Sequence, residues 1–353
     1  MISLFRSLWW PTRLRHIYLL IRYPLLLYLI FMTVWLTGVL DYIFAVPFDE
    51  FRWPPYIDVK REVQLDLAGE LPRYMYENDW LYFPTPLIRP ECVHNESIYR
   101  DNYLLIVIKS AVQNSKNRFY IRRTWCDVKS VMGYRVRCIF IVGRDESNNP
   151  SVGLDIQGEA SAYGDVLLAN FSDSYRNNTL KFLTAIQQAH DYCAREKKPV
   201  GSGVPYAFFV DDDYIVILRN LIKLIRSRSP DRSLYMGWRF DSAPLRLWFE
   251  KNRLTYKEYP FDRLPPYISA GAVIMSRRTI RDMYYAIRYV RLFKMDDVYA
   301  GIVAKLMDIL AEHNENMRYW YAPIDQNDTE TLICAHGYAA EKLGEVFLPL
   351  FQN

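Results

Sequence analysis

"YAFFVDDDYIVIL", Tyr206 to Leu218, runs apolar, breaks into three consecutive aspartates and turns apolar again. Its first five residues, unbroken in apolar character and rich in aromatics, predict a strand buried on both faces. Asp211, Asp212 and Asp213 then stand at the carboxyl end of that strand. Adjacent carboxylates repel one another, and partial burial raises the cost of each charge. A positive partner is therefore expected beside them. A hard divalent cation held through oxygen ligands meets that need and keeps positions open for a diphosphate. The simpler reading is a solvated acidic turn capping the next helix, which suits one Asp better than three flanked by apolar residues.

The same strand character recurs on either side. "YLLIVIKS", "VRCIFIVG", "DVLLANF", "SLYMGWRF" and "YISAGAVIMS" are short apolar runs, and helical stretches separate them. The clearest runs from Asn177 to Glu196, with Phe182, Ile186, Ala189 and Cys193 at helical spacing. Such alternation predicts an α/β domain with a mostly parallel sheet covered on both faces. Ligands of open α/β sheets bind outside the carboxyl ends of the strands, which is where the three aspartates fall. A second acidic pair, Asp296 and Asp297 in "LFKMDDVYAGIVAKLMDIL", opens an amphipathic helix. There an aspartate caps the helix and interacts with its dipole. The same dipole keeps a carboxylate ionised and ready to accept a proton.

Composition narrows the class. The chain has 353 residues, 51% of them apolar and 24% charged, which excludes a disordered chain. Its net charge of +4 is spread through mixed signs, so it carries no nucleic-acid signature. Aromatics make up 16%, enough for core and interface packing and for stacking platforms under bases or sugar rings. From Tyr23 to Leu40 there is no charged residue; Arg6, Arg13, Arg15 and Arg22 precede this run, and Asp41, Asp49 and Glu50 follow it. Eighteen apolar residues with that flanking asymmetry predict a membrane anchor with a cytosolic N-terminus. The expected layout is a cytosolic tail over 1–22, an anchor over 23–40, a stem over 41–98 and a lumenal domain over 99–353. Seven of the nineteen prolines lie between Pro47 and Pro90, as a stem requires. Asn95, Asn170, Asn177 and Asn327 open N-x-S/T triplets on the predicted lumenal side. All five cysteines also fall there, and their spacing leaves the pairing open.

Several blocks together resemble one family. "IKSAVQNSKNRFYIRRTW", "YGDVLLANFSDSYRNNTLK", "FFVDDD", "PPYISAGAVIMS" and "DDVYAGI" are similar, in this order, to the motifs of the β-1,3-galactosyltransferase family of inverting Golgi glycosyltransferases. The resemblance spans about Asp101 to about Ile309, with a weaker echo at "CAHGYA". Within the family, "IKSAVQNS", "EYPFDRLPPYISAGA" and "LFKMDDVYAGIVA" are similar to Brainiac-type invertebrate β-1,3-N-acetylglucosaminyltransferases and to their nematode relative. The resemblance implies a GT-A-like fold, with a mostly parallel sheet and helices on both faces behind an N-terminal transmembrane helix and stem. It further implies a UDP-sugar donor, Mn²⁺, a glycolipid or glycan acceptor, and attachment to the Golgi membrane.

Carried over residue by residue, the resemblance makes Asp213 the main metal ligand, with Asp212 and His336 beside it and Asp211 toward the donor. Asp297 is the expected catalytic base, and Asp296 stands where Glu is commoner. Arg122, Arg123, Asp173 and Lys181 fall on the donor side; for each, a structural ion pair or cap explains the residue equally well. Tyr267 and Gly271 fall with Asp296 on the acceptor side, and Trp125 reads as core. The donor reads as UDP-GlcNAc or UDP-GalNAc, with UDP-Gal as the alternative. Two other classes compete. A metal-dependent phosphohydrolase or nuclease needs further ligands for a second metal, and a chaperone-like relative has no use for both acidic motifs.

Overall fold

The computed structural model describes residues 12–78, 86–90, 102–145, 150–192 and 203–351. The chain divides into two compact units. One comprises Met1–Phe51 with Ala243–Arg263, the other Arg52–Ser242 with Leu264–Asn353.

The larger unit is built on the predicted strands. β1 (Tyr103–Lys109), β2 (Ser130–Val131), β3 (Tyr134–Arg144), β4 (Val166–Ser172), β5 (Tyr206–Asp211), β7 (Tyr235–Phe240), β8 (Tyr267–Ser276) and β9 (Ala311–His313) form one sheet. Its order is β2-β3-β1-β5-β8-β7-β9, with β4 beside β3. β1, β3, β4 and β5 run parallel, β8 is antiparallel to both neighbours, and β9 is parallel to β7. The sheet is therefore mixed and mostly parallel. β6 (Tyr214–Val216), β10 (Met317–Arg318) and β11 (Cys334–His336) form a second, small sheet in the order β10-β11-β6.

Both faces of β1 are buried because its side chains alternate into two cores. Leu104, Ile106 and Ile108 pack with residues of α4 (Ser115–Arg123), α7 (Leu218–Arg226) and α11 (Glu341–Phe351). The other face is covered by α6 (Asn178–Asp191), and α8 (Arg277–Ala286) and α9 (Asp296–Leu306) pack against α6. Cys126 after α4 is disulfide-bonded to Cys138 in β3, and Cys334 is a buried free thiol. Cys92 and Cys193 lie outside the described residues.

The structure adds two features to the N-terminal region. The uncharged run 23–40 is not one helix: α1 (Thr12–Leu36) ends before Gly38, which adopts φ 66°, and α2 (Val39–Ile43) follows. Gly38 can turn there because it lacks a Cβ, which would come within 2.7 Å of the Arg246 carbonyl. Among the described residues, no helix is long and apolar enough to cross a membrane. The stretch read as a stem also carries regular structure. α3 (Val59–Ala68) is capped by the Asp58 carboxylate, which accepts from Arg61 N, and is closed by Gly69 at φ 73°. Val59 and Val63, four residues apart, give it a buried side, and it packs on α8.

The smaller unit is organised by Arg246. Its buried guanidinium donates to the carbonyls of Leu254, Tyr259 and Phe261, so one cation satisfies three carbonyls of an irregular segment.

Candidate active site

The positive partner that three aspartates require is a lysine of the chain itself. Lys109 is the last residue of β1 and pairs in register with Asp211, the last residue of β5. Its Nζ lies 3.1 Å from Asp211 Oδ1 and 3.1 Å from Asp296 Oδ2, with the side chain only 9% exposed. Burial disfavours the ammonium, but the two carboxylates outweigh it and hold Lys109 protonated well above its ordinary range. Burial pushes Asp211 up to about 6 against the pull of Lys109, with Asp213 and Asp296 adding repulsion. The two acidic motifs, 83 positions apart as Asp213 and Asp296 are numbered, thus share one cation. The sequence reading missed Lys109; its only signal is a lysine closing an otherwise apolar strand.

The three aspartates separate by function of place. Asp212 is buried and fully engaged: it accepts from Ser110 Oγ at 2.6 Å, Asn114 Nδ2 at 3.0 Å and Asn117 Nδ2 at 3.2 Å. Those three bonds fix the loop after β1 and the start of α4. Asp213 differs. Its Oδ2 lies 3.0 Å from His336 Nε2, while its Oδ1 is buried with no hydrogen-bond partner among the described residues. The antiparallel pairing of β6 with β11 sets Tyr214 opposite His336, and the two rings meet edge-on at 5.3 Å. An orphaned carboxylate oxygen beside an imidazole nitrogen is a donor set that fits a divalent cation. Among the described residues, no group of three or more His, Cys, Asp and Glu side chains is arranged around such a site. The pair would therefore hold a cation that takes its remaining ligands from a bound diphosphate or water.

Asp296 and Asp297 open α9 as expected, and they face different partners. Asp296, 12% exposed, points at Lys109. Asp297 Oδ1 accepts from Val298 N at 2.7 Å. Burial and then the neighbouring Asp296 push Asp297 up to about 6. One turn further, Gly301 lets α9 close on β8: a Cβ there would lie 2.5 Å from Tyr267 Cβ. Four positions along β8, a Cβ on Gly271 would lie 2.2 Å from Tyr214 Oη. The β8 segment from Tyr267 to Gly271 therefore runs from the helix of Asp297 to the ring that backs His336. Gly271 is explained by this close packing.

The residues expected on the donor side each have partners within the chain. Arg122 makes a two-pronged contact with Asp165, both bonds 2.8 Å, and pairs with Glu159 at 2.7 Å. Its guanidinium also stacks on Tyr163 at 4.0 Å. Lys181 and Asp173 form a buried pair at 2.7 Å; Asp173 also accepts from Val112 N and Gly143 N, and Lys181 donates to Ser110 O. They clamp the loop that carries Ser110, one step removed from the site. Arg123 is exposed over the Phe119 ring. Trp125 is core, its Nε1 donating to Tyr214 O. Of the sequons, Asn170 and Asn327 are exposed, Asn177 donates to Ser172 O, and Asn95 lies outside the described residues.

Comparisons with known proteins place the chain in a family. The family model described as Galactosyltransferase matches residues 116–315. The β-1,3-galactosyltransferase bre-5 of Caenorhabditis elegans is 34% identical over 88% of this chain and 87% of its own length. The β-1,3-galactosyltransferase brn of Drosophila melanogaster is 38% identical over 61% of this chain and 64% of its own. The UDP-GalNAc:β-1,3-N-acetylgalactosaminyltransferase 1 of Homo sapiens is 28% identical over 78% of this chain and 84% of its own. Among solved structures, the galactosyltransferase LgtC covers 70% of this chain and 96% of its own at 12% identity, with a TM-score of 0.33; that likeness is too low to carry weight. The family match across more than half the chain, with the bre-5 identity, is sufficient: this chain belongs to the galactosyltransferase family.

Proposed function

We propose that the protein is an inverting β-1,3-hexosyltransferase that moves GlcNAc or GalNAc from a UDP-sugar onto a glycolipid or glycan hydroxyl. One observation carries the reading. Lys109 ties Asp211 to Asp296, so the Asp213–His336 pair and Asp297 belong to one edge of the sheet. Asp213 and His336 would hold Mn²⁺, which when bound neutralises charge on the departing nucleoside diphosphate. Asp297 takes the proton of the acceptor hydroxyl as its oxygen bonds to the anomeric carbon. The bond from that carbon to the diphosphate breaks on the opposite face, and UDP leaves with the electron pair. A carboxylate pushed up to about 6 is still ionised at neutral pH and is a stronger base than an ordinary aspartate. Lys109 holds the two acidic segments in place and leaves the proton transfer to Asp297.

The test is transfer by the full-length protein with Mn²⁺ and each labelled UDP-sugar, offered mannose-, galactose- and glucose-terminated acceptors. Transfer is expected from an N-acetylhexosamine donor, to be abolished by chelation and by Asp213→Ala. Transfer from no donor overturns the enzyme reading. Transfer from UDP-Gal alone overturns the donor and favours the second reading, galactosyl transfer, which the printed names of bre-5 and brn support.

The setting we propose is the Golgi membrane, type II, with the catalytic part lumenal. The arginines before residue 23 and the acids after residue 40 support that orientation, and the Cys126–Cys138 disulfide suits an oxidising lumen. In sealed microsomes the region after residue 41 is expected to resist added protease until detergent is present; digestion without detergent overturns the topology.

A further inference from the structure

At the end of α9 opposite Asp296 and Asp297, Leu306 lines a cavity of about 690 Å³. The helix has 11 residues, so about 15 Å of helix separates this cavity from the base. Its other walls come from the segment before α3, the first turn of α3 and the segment after Gly69. Each of these contributes an arginine: Arg52, Arg61 and Arg73. All three are exposed, and among the described residues none of their guanidinium groups has an ion-pair or hydrogen-bond partner. The adjacent Lys60 differs, pairing with Asp308 at 2.6 Å.

The cavity also has an acidic and an aromatic side. The Asp58 carboxylate is engaged in capping α3. The buried Glu62 accepts from Arg73 N through Oε2 at 2.7 Å, and its Oε1 has no hydrogen bond among the described residues. Tyr56 and Tyr74, both exposed, stand with ring centroids 6.4 Å apart and planes inclined by 50°. Flanking Arg73 and Tyr74 in the chain, Leu71 is 90% and Met75 92% exposed. Guanidinium forks suit a phosphate. Tyrosine faces and a free carboxylate oxygen suit an ammonium. Both charges in one cavity ask for a ligand that carries both, and bare aliphatic side chains at its rim ask for an apolar continuation of that ligand.

We propose that this cavity binds the headgroup of a zwitterionic phospholipid, with the phosphate on Arg52, Arg61 and Arg73 and the ammonium between Tyr56, Tyr74 and Glu62. Leu71 and Met75 then lie against its acyl chains. The inference stands apart from the transfer reading, since it uses none of the residues placed in that site. The test is calorimetric titration of the full-length protein, in maltoside micelles free of phosphate, with phosphocholine, inorganic phosphate, choline and dihexanoyl-phosphatidylcholine. Phosphocholine is expected to bind at least about tenfold more tightly than phosphate or choline alone. Arg61→Gln and Arg73→Gln should each weaken it about tenfold, the loss of one charge-assisted contact. Tyr74→Leu should weaken it about two- to fivefold and leave phosphate within about twofold. The dihexanoyl lipid should bind about tenfold more tightly than phosphocholine, and Leu71→Ser/Met75→Ser should remove that gain. Phosphate binding as tightly as phosphocholine would overturn the headgroup in favour of a plain anion site. A lipid no tighter than phosphocholine, or a gain that survives the serine variant, would overturn the lipid as its source. Binding of no probe by the wild type, or binding unchanged in both arginine variants, would overturn the site.

Discussion

Asp297→Asn is expected to lower kcat for transfer by about a thousandfold, the middle of the range for losing a general base, with donor affinity unchanged. The substitution is nearly isosteric, and the amide oxygen of Asn still accepts from Val298 N as Oδ1 does now. The start of α9 therefore keeps its geometry, and only the ability to take a proton is lost. Steady-state transfer kinetics and calorimetric titration with the UDP-sugar would separate the two effects. A fall below tenfold would move the base elsewhere. The wild-type pH profile carries the same information. Only ionised Asp297 accepts a proton, and its pKa is pushed up to about 6. Activity should therefore be full above that value and fall about tenfold per pH unit below it. Asp297→Glu should shift this limb; an unmoved limb would assign it to Asp211, which burial pushes into the same range.

Lys109→Met should show first in stability. It preserves most of the side chain's length and apolar contacts but removes the charge between Asp211 and Asp296. Deleting one partner of a buried ion pair costs about 3–5 kcal/mol, because the other charge is left uncompensated. The lower end applies here, since Asp211 is 38% exposed and water screens part of its charge. About 3 kcal/mol corresponds to a fall in Tm of roughly 6–12 °C for a domain of some 200 residues. Scanning calorimetry would measure it. Transfer should be lost as well, because two unpaired carboxylates repel in the segments that carry Asp213 and Asp297. The double variant Lys109→Met/Asp296→Asn is expected to regain part of the Tm without regaining transfer. A single variant as stable as the wild type would mean that the bridge contributes nothing to the fold.

What was readable in the sequence follows a physical division. Apolar runs such as YLLIVIK and YAFFV state their burial locally, so the strands and their α/β setting were legible. The two acidic clusters were legible because adjacent like charges are costly and demand a reason. Their partners were not, because pairing is set by the fold. Ser110 donates to Asp212 across 102 positions and Lys109 reaches Asp296 across 187. For the same reason Asp212 and Asp213 read alike, although one is enclosed by three donors and the other keeps an unpaired oxygen. Arg122, Asp173 and Lys181 sit inside motif blocks yet hold the scaffold, since a recurring motif records framework and chemistry together. The turn at Gly38 was hidden because fourteen uncharged residues, Tyr23 to Leu36, precede it on α1 and only its backbone angle breaks the run.

The register of β1 against β5 has a consequence for how the molecule comes to work. Side chains alternate along a strand, so a slip of one residue would turn Lys109 away and bring Ile108 or Ser110 to face Asp211. A slipped sheet would thus lose its ammonium and its hydrophobic partners in the same step. Catalytic competence and native strand pairing are one checkpoint, and turnover itself reports that the chain has matured correctly.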